Sequence, residues 1–352
     1  MNNKLRSIIF LYFRILFTSF SDKNLRRSNV GFKLNKLCLF IGLFVICCRL
    51  YAVSYHIEKH KNSDIDIPNL ITQEFSSSLL DKLITSNGEA YNHIGSSLAK
   101  YGNRIVVGSF YEDVDNKNAQ GAAYIFTKAD GIWKQTAKLT ADDGKQGDIF
   151  GTSVAIFKNT VAVGAIYANI NGNKGQGAVY IFTKADGTWK QTAKLTAYGG
   201  MQDDSFGTSV SIDNNTVVVG TKNKEINKNK NQGAVYVFEN INKKWQQKSI
   251  LTAMKGEEGN YFGASVSISG DKIAVGAPFN WIDETSNGAV YIFKKKARSW
   301  EQSSLLTSPG RSELEDFGTA VSIHHNIITV GAGYPQNNGL FEQKSMYIFK
   351  EN

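Results

Sequence analysis

A period of 56 residues governs this chain. The stretch "TKADGIWKQTAKLTA" begins at Thr127 and "TKADGTWKQTAKLTA" at Thr183, and the two differ only at Ile132 and Thr188. The period reaches well beyond this pair. Phe150-Gly151, Phe206-Gly207, Phe262-Gly263 and Phe317-Gly318 follow one another at intervals of 56, 56 and 55, and Ile94-Gly95 stands one period upstream. A unit this short cannot bury an apolar face alone, so copies must stack and share a core.

Each unit holds four short runs rich in Val, Ile, Tyr and Thr. The first follows the Phe-Gly pair ("GTSVAI", "GTSVSI", "GASVSI", "GTAVSI"). The second ends in glycine ("RIVVGS", "TVAVGA", "TVVVGT", "KIAVGA", "IITVGA"), and the third reads "GAAYIF", "GAVYIF", "GAVYVF", "GAVYIF" and "SMYIF". A tryptophan opens the fourth at Trp133, Trp189, Trp245 and Trp300. Composition and length mark these runs as strands, and none has the span or period of an amphipathic helix. "IDNNTV" (Ile212 to Val217) and "ISGDKI" (Ile268 to Ile273) read as hairpin turns between the first two runs. Four antiparallel strands per unit, repeated radially, predict the blades of an all-β propeller. The duplicated stretch is then the hairpin of the third and fourth strands in two adjacent blades, with Asp-Gly as its turn.

Five such sets are visible. The fifth ends at Phe349 without a fourth run of its own, while Leu79 to Ile84 upstream aligns with the fourth run of the other units; Leu83 and Leu139 are 56 apart. The expectation is five four-stranded blades, with this N-terminal strand completing the last one and closing the ring, which removes exposed sheet edges.

The formal net charge of +9 does not belong to the repeats. Of 40 Lys/Arg, 11 lie in residues 1–61 beside only Asp22 and Glu58, which leaves 29 basic against 29 acidic residues downstream. A neutral repeat region lacks the field that gathers a phosphate backbone, which argues against nucleic acid as a partner. All three cysteines (Cys38, Cys47, Cys48) fall in the same leader, so the repeats carry neither a disulfide framework nor a thiolate metal site. "LCLFIGLFVICC" (Leu37 to Cys48) follows Lys33 and Lys36, the pattern of a secretory signal, and "LYA" (Leu50 to Ala52) offers a small-residue cleavage site. The alternative is an uncleaved anchor within 37–53. The chain therefore reads as 1–53 signal peptide or membrane anchor, 54–74 polar linker and 75–352 propeller, delivered to the periplasm, the cell surface or the outside.

The units resemble FG-GAP repeats, the propeller repeats also found in integrin α-subunits; "FGASVSISGDKIAVGAP" (Phe262 to Pro278) carries both halves of that name. The resemblance covers residues 79 to 349 and implies a binding or adhesion module with extracellular protein or glycan partners. Two departures matter. Integrin-type propellers have seven repeats and this chain shows five. Calcium-binding members carry an Asp-rich loop between the two halves, where this chain has only "FKNT", "DNNT", "SGDK" and "HHNI". Such hairpins cannot wrap an ion that wants six to eight oxygens, so neither metal nor cofactor is expected.

Connections between second and third strands, and between one unit's fourth strand and the next unit's first, emerge on one rim of a propeller, and loops on a rigid scaffold are where recognition sits. The candidate ligand contacts are therefore loop residues: Tyr111, Glu112, Asp113 and Asp115 in the first loop, Tyr167 in the second, Trp281, Asp283 and Glu284 in the fourth, and Tyr334 in the fifth. Trp281 draws attention as the one tryptophan off the repeat. Asp113 and Asp115 have ion-loop spacing, but Lys117 occupies the next ligand place. The connections to the next unit bring Asp142, Asp143, Asp148, Asp203, Asp204, Glu257, Glu258, Glu313, Glu315 and Asp316, an expected acidic arc. The five histidines are scattered and no nucleophile, zinc or phosphate-loop motif appears, so no catalytic residue is expected. The rival readings are a carbohydrate-active enzyme using paired rim carboxylates and a purely structural surface repeat.

Overall fold

The computed structural model describes Leu83, Thr85 and residues 92–282, 285–286, 288–309, 316–333 and 345–351. The leader, the linker and all but Leu83 of the proposed closing strand Leu79–Ile84 lie outside these residues. What is described is all strand and turn.

Blade 1 runs β1 (Ile94–Tyr101), β2 (Arg104–Ser109), β3 (Ala122–Ala129) and β4 (Ile132–Leu139). Blade 2 runs β5 (Phe150–Phe157), β6 (Thr160–Ala165), β7 (Ala178–Ala185) and β8 (Thr188–Leu195). Blade 3 runs β9 (Ser209–Asp213), β10 (Thr216–Thr221), β11 (Ala234–Ile241) and β12 (Lys244–Leu251). Blade 4 runs β13 (Ser265–Ser269), β14 (Lys272–Ala277), β17 (Ala289–Lys296) and β18 (Ser299–Leu306), with β15 (Trp281–Ile282) and β16 (Thr285–Ser286) forming a small hairpin inside its loop. Blade 5 shows β19 (Ala320–His324), β20 (Ile327–Ala332) and β21 (Ser345–Lys350). Every blade is an antiparallel meander in chain order, and the five make a five-bladed β-propeller.

The repeated hairpin is as the sequence predicts. Asp130-Gly131 (φ 50° and 79°) and Asp186-Gly187 (φ 50° and 78°) both turn through left-handed backbone. That is the turn whose twist matches the strands.

The blades meet through aromatic wedges. Phe150, Phe206, Phe262 and Phe317 are fully buried, each edge-on or tilted to a Tyr and a Phe of its own blade, such as Tyr180 and Phe182 beside Phe150. On the opposite face, Ile125, Ile181, Val237 and Ile292 are fully buried against the blade that follows. Near the axis a second device recurs. Ser97, Ser153, Ser209 and Ser265 donate their hydroxyls to the carbonyls of Gly151, Gly207, Gly263 and Gly318 in the next blade, at 2.8, 2.7, 2.8 and 2.8 Å. Gly108, Gly164, Gly220 and Gly276 lie so close to those same carbonyls that a Cβ would overlap them. Four seams are thus clamped identically.

Between blade 5 and blade 1, at the fifth seam, the described residues show no such clamp. The clamping serine is replaced by Ala320, and the described atoms nearest to a Cβ on Gly331 belong to Ala320, the closest at 3.3 Å. Ile348, at the place of Ile125 and its equivalents, is 60% exposed. On the blade-1 side Ile94 is 44% exposed, and Lys100 stands where Ile156, Ile212, Ile268 and Ile323 are buried. At the outer edge, however, Leu83 packs on the cluster of Val114, Tyr124 and Phe126 with Trp133. Leu139 makes the same kind of contact with Tyr180, Phe182 and Trp189 one period later.

Candidate functional site

The β2–β3 loops and the β4-to-next-blade connections do share a rim, and most of that rim is locked. Gln120, Gln176 and Gln232 are buried there, each side chain pressed on Gly144, Gly200 or Gly256, where no Cβ fits. Asn173 donates to Gln176 Oε1 and to the Gly200 carbonyl, both at 3.1 Å, and Asn229 repeats this with Gln232 and Gly256 at 3.1 and 3.2 Å. These bonds tie the second and third loops to the connections that follow β8 and β12.

Several expected contact residues are consumed by this framework. Glu112 is 3% exposed; it accepts the Tyr124 hydroxyl at 2.5 Å and pairs with Lys138 at 2.7 Å. Its carboxylate is an internal group and not a rim contact. Asp113 is exposed but caps its own loop by accepting the Ala119 N–H at 2.7 Å, as Asn169 does for Gly175 at 3.0 Å. Asp115 is exposed at a left-handed turn position, φ 50°. Tyr111 is half-buried in an aromatic group with His93 and Phe110, ring centroids 5.0 and 4.6 Å away. Tyr167 is 47% exposed. Trp281 belongs to β15, opposite Ser286 of β16. Asp283, Glu284 and Tyr334 lie outside the described residues.

The acidic arc is also thinner than the sequence suggests. Asp148 and Asp204 are buried caps that accept the N–H groups of Lys145 and Met201 at 2.8 and 2.7 Å. Asp204 further pairs with the buried Lys224 at 2.9 Å. Asp143, its side chain 55% exposed, takes the Tyr180 hydroxyl at 2.9 Å and Lys194 at 2.6 Å; partial desolvation pushes its carboxyl up, but the hydrogen bonds from Lys194 and Tyr180 outweigh this and hold its pKa below the ordinary value. A variable node emerges beneath the rim: the same buried tyrosine finds a different partner in each blade. Tyr124 has Glu112, Tyr180 has Asp143, Tyr291 has Asn280, and Tyr347 accepts from Ser308 at 3.1 Å. Burial first, and the charge of Asp204 second, push the Tyr236 hydroxyl up to about 12. The hydroxyls of Tyr124, Tyr180, Tyr236 and Tyr291, all raised first by burial, stay protonated and do not serve as proton carriers. Asp142, Asp203, Glu257 and Glu258 remain exposed.

What the rim does present is aromatic. The residue two places past the second strand is Tyr111, Tyr167, Asn223 and Phe279 in blades 1 to 4. Each sits by the residue preceding its own first-strand Phe/Ile-Gly pair: Tyr111 by His93, Asn223 by Ser205 (3.0 Å) and Phe279 by Tyr261 (centroids 5.4 Å). Tyr167 reaches the same region through its N–H to the Asp148 carbonyl, 3.3 Å. Phe279 is 43% exposed. The sequence reading passed over Phe110, Tyr261 and Phe279; stepping from Tyr111 by 56 reaches Phe279 directly.

The FG-GAP repeat family model matches residues 78–126, 133–182, 189–238 and 245–293. That is more than half of the chain, and the protein belongs to the FG-GAP repeat family of β-propellers. No curated protein matches it in sequence. The second, third and fourth matched segments open on an outer strand and run through the three strands of the next blade, and the first opens at residue 78, outside the described residues.

Proposed function

We propose that the protein is a binding or adhesion module that acts outside the cytoplasm, holding an extracellular protein or a glycan on the rim formed by its β2–β3 loops. The observation that carries this reading is the contrast within the repeat. The framework is copied almost unchanged from blade to blade, yet the rim position after the second strand varies as Tyr111, Tyr167, Asn223 and Phe279, half-buried in blades 1 and 3 and exposed in blades 2 and 4. Large rings held on a rigid frame give contact area at little entropic cost. The basic and apolar leader (1–53) supports delivery outside the cytoplasm, either by cleavage or by anchoring through 37–53. Glu112, Asp143, Asp148 and Asp204 are buried or paired, so the rival reading of a carbohydrate-active enzyme would have to rest on the exposed Asp142, Asp203, Glu257 and Glu258.

The test is a binding screen of the full chain on extracellular-protein and glycan arrays, alongside the double variant Tyr167→Ala/Phe279→Ala. Both rings are more than two-fifths exposed, so the variant should keep its melting temperature and lose binding. Unchanged binding by the variant would place recognition elsewhere.

A further inference from the structure

Two grooves open between blades on the outer part of this rim, and they are the same groove one period apart. The first, of about 440 Å³ between blades 1 and 2, is lined by Phe182, Trp189, Gln191 and Asp142. The second, of about 460 Å³ between blades 2 and 3, is lined by Phe238, Trp245, Gln247 and Tyr198. In both, the glutamine is oriented by the loop above it. Gln191 Oε1 accepts the Asp142 N–H at 3.1 Å, and Gln247 Oε1 accepts the Tyr198 N–H at 2.9 Å. The oxygen is thereby occupied, and each glutamine, whose amide nitrogen is a double donor, lines the groove together with the tryptophan two residues before it.

Most charges nearby cancel: in the first groove the exposed Asp142 and Lys190 are opposite in sign, and Arg104 stands 5.9 Å over the Trp189 ring. Lys138 is paired with Glu112, and Lys194 with Asp143. A groove with an aromatic wall, an oriented amide donor and little net charge suits a neutral ligand that is apolar on one face and polar around its edge. Tyr198, 86% exposed, adds a second ring to the groove between blades 2 and 3. The third junction keeps the framework but not this chemistry. Gln302 again holds the Met254 N–H at 3.1 Å, yet Trp300 is buried, and Met254 and Ile250 stand where Tyr198 and Lys194 stand one period earlier.

We infer that the grooves at Trp189–Gln191 and Trp245–Gln247 are equivalent subsites for single neutral sugar rings, so that the ligand class is a glycan with repeated units. A pyranose lays its C–H face on the indole and accepts from the glutamine amide through a ring hydroxyl. Two subsites built on the same Trp-Gln frame of one scaffold favour a ligand that repeats one chemical unit, because the second contact is then made at high effective concentration. This inference rests on the reading of the rim as a binding face.

Saturation-transfer NMR and titration with methyl glycosides of neutral hexoses and N-acetylhexosamines, on the full chain, test it directly. At least one glycoside should saturate, with signal transferred to its C–H face. Gln247→Leu should weaken that glycoside about tenfold, the effect of one lost oriented hydrogen bond. Should Gln247→Leu unfold, Tyr198→Ala, which removes an exposed ring, should weaken binding with no change in melting. Gln191→Leu combined with Gln247→Leu should reduce retention on an immobilised neutral polysaccharide far more than either change alone. The inference is overturned if no neutral glycoside saturates in the tens of millimolar, or if the double variant binds as well as the parent. A protein ligand lost on Tyr167→Ala/Phe279→Ala, with no glycoside bound, would keep the binding module and discard the sugar grooves; silence from both arrays would discard both.

Discussion

Replacing Gly220 by alanine and, in a second protein, Gly331 by alanine puts the same methyl group at equivalent places in blades 3 and 5. Neither glycine uses left-handed backbone, so alanine itself is conformationally permitted at both. The surroundings differ. At Gly220 the new Cβ would overlap the Gly263 carbonyl and the Ser209 hydroxyl, the two partners of a 2.8 Å clamp. Relief requires blades 3 and 4 to part. Overpacking of this kind costs about 1–3 kcal/mol, and the strained hydrogen bond adds about 1 kcal/mol. The sum of roughly 3 kcal/mol lowers Tm by about 6–12 °C in a domain of this size. At Gly331 the nearest described atom to the methyl is the Ala320 Cβ, at 3.3 Å, a contact that needs Ala320 to yield by only a few tenths of an ångström. There the reduced freedom of the unfolded chain leaves alanine between neutral and about 1 kcal/mol stabilising. Thermal unfolding followed by circular dichroism, with a denaturant midpoint as a check, reads both. Equal destabilisation at the two sites would refute the reasoning, because it would mean that the fifth seam is pressed together like the other four.

Three further outcomes are expected. Burial holds the Asp316 carboxyl up at about 6 against an ordinary 3.8; between those values the folded chain keeps a proton that the unfolded chain has released. Its contribution to stability is complete below pH 3.8 and is lost as pH rises through 6, and a Tm-against-pH series should show Asp316→Asn flattening that decline. Lys224→Met strands the buried Asp204 carboxylate, whose side chain is 3% exposed, and should cost about 3 kcal/mol in urea unfolding; a loss under about 1 kcal/mol would show that the pair is solvated. Calcium at millimolar concentration, or a chelator, should leave Tm unmoved in a thermal-shift assay; a calcium-dependent rise would restore the family's ion loop to this chain.

The architecture was legible because a period of 56 in glycine and aromatic residues has few physical solutions, and alternation within each run fixes the faces. Four of the seams follow from the same text. The fifth was written there too: Ser97, Ser153, Ser209 and Ser265 give way to Ala320. That substitution passes for one small residue among others until the hydroxyl is seen clamping the neighbouring blade. The site was less legible for a related reason. Glu112 reads as a loop carboxylate, and only packing shows that Tyr124 and Lys138 enclose it. Asp148 and Asp204 read as an acidic arc, whereas their place three residues past Lys145 and Met201 makes them caps. Phe279 could have been found by stepping along the period from Tyr111. The pairing of glutamine amides with loop N–H groups across blades, 49 residues apart, leaves no local signature.

The asymmetry of the ring can be measured without reference to any ligand. With Cys38, Cys47 and Cys48 changed to serine, spin labels are placed in pairs at the exposed first-to-second-strand turns of neighbouring blades: Asn103, Asn159, Asn215, Asp271 and Asn326. Pulsed electron resonance should return one common distance for the four consecutive pairs and a longer one for Asn326 with Asn103. Five equal distances would describe a ring whose last seam is clamped like the rest, and would contradict this account.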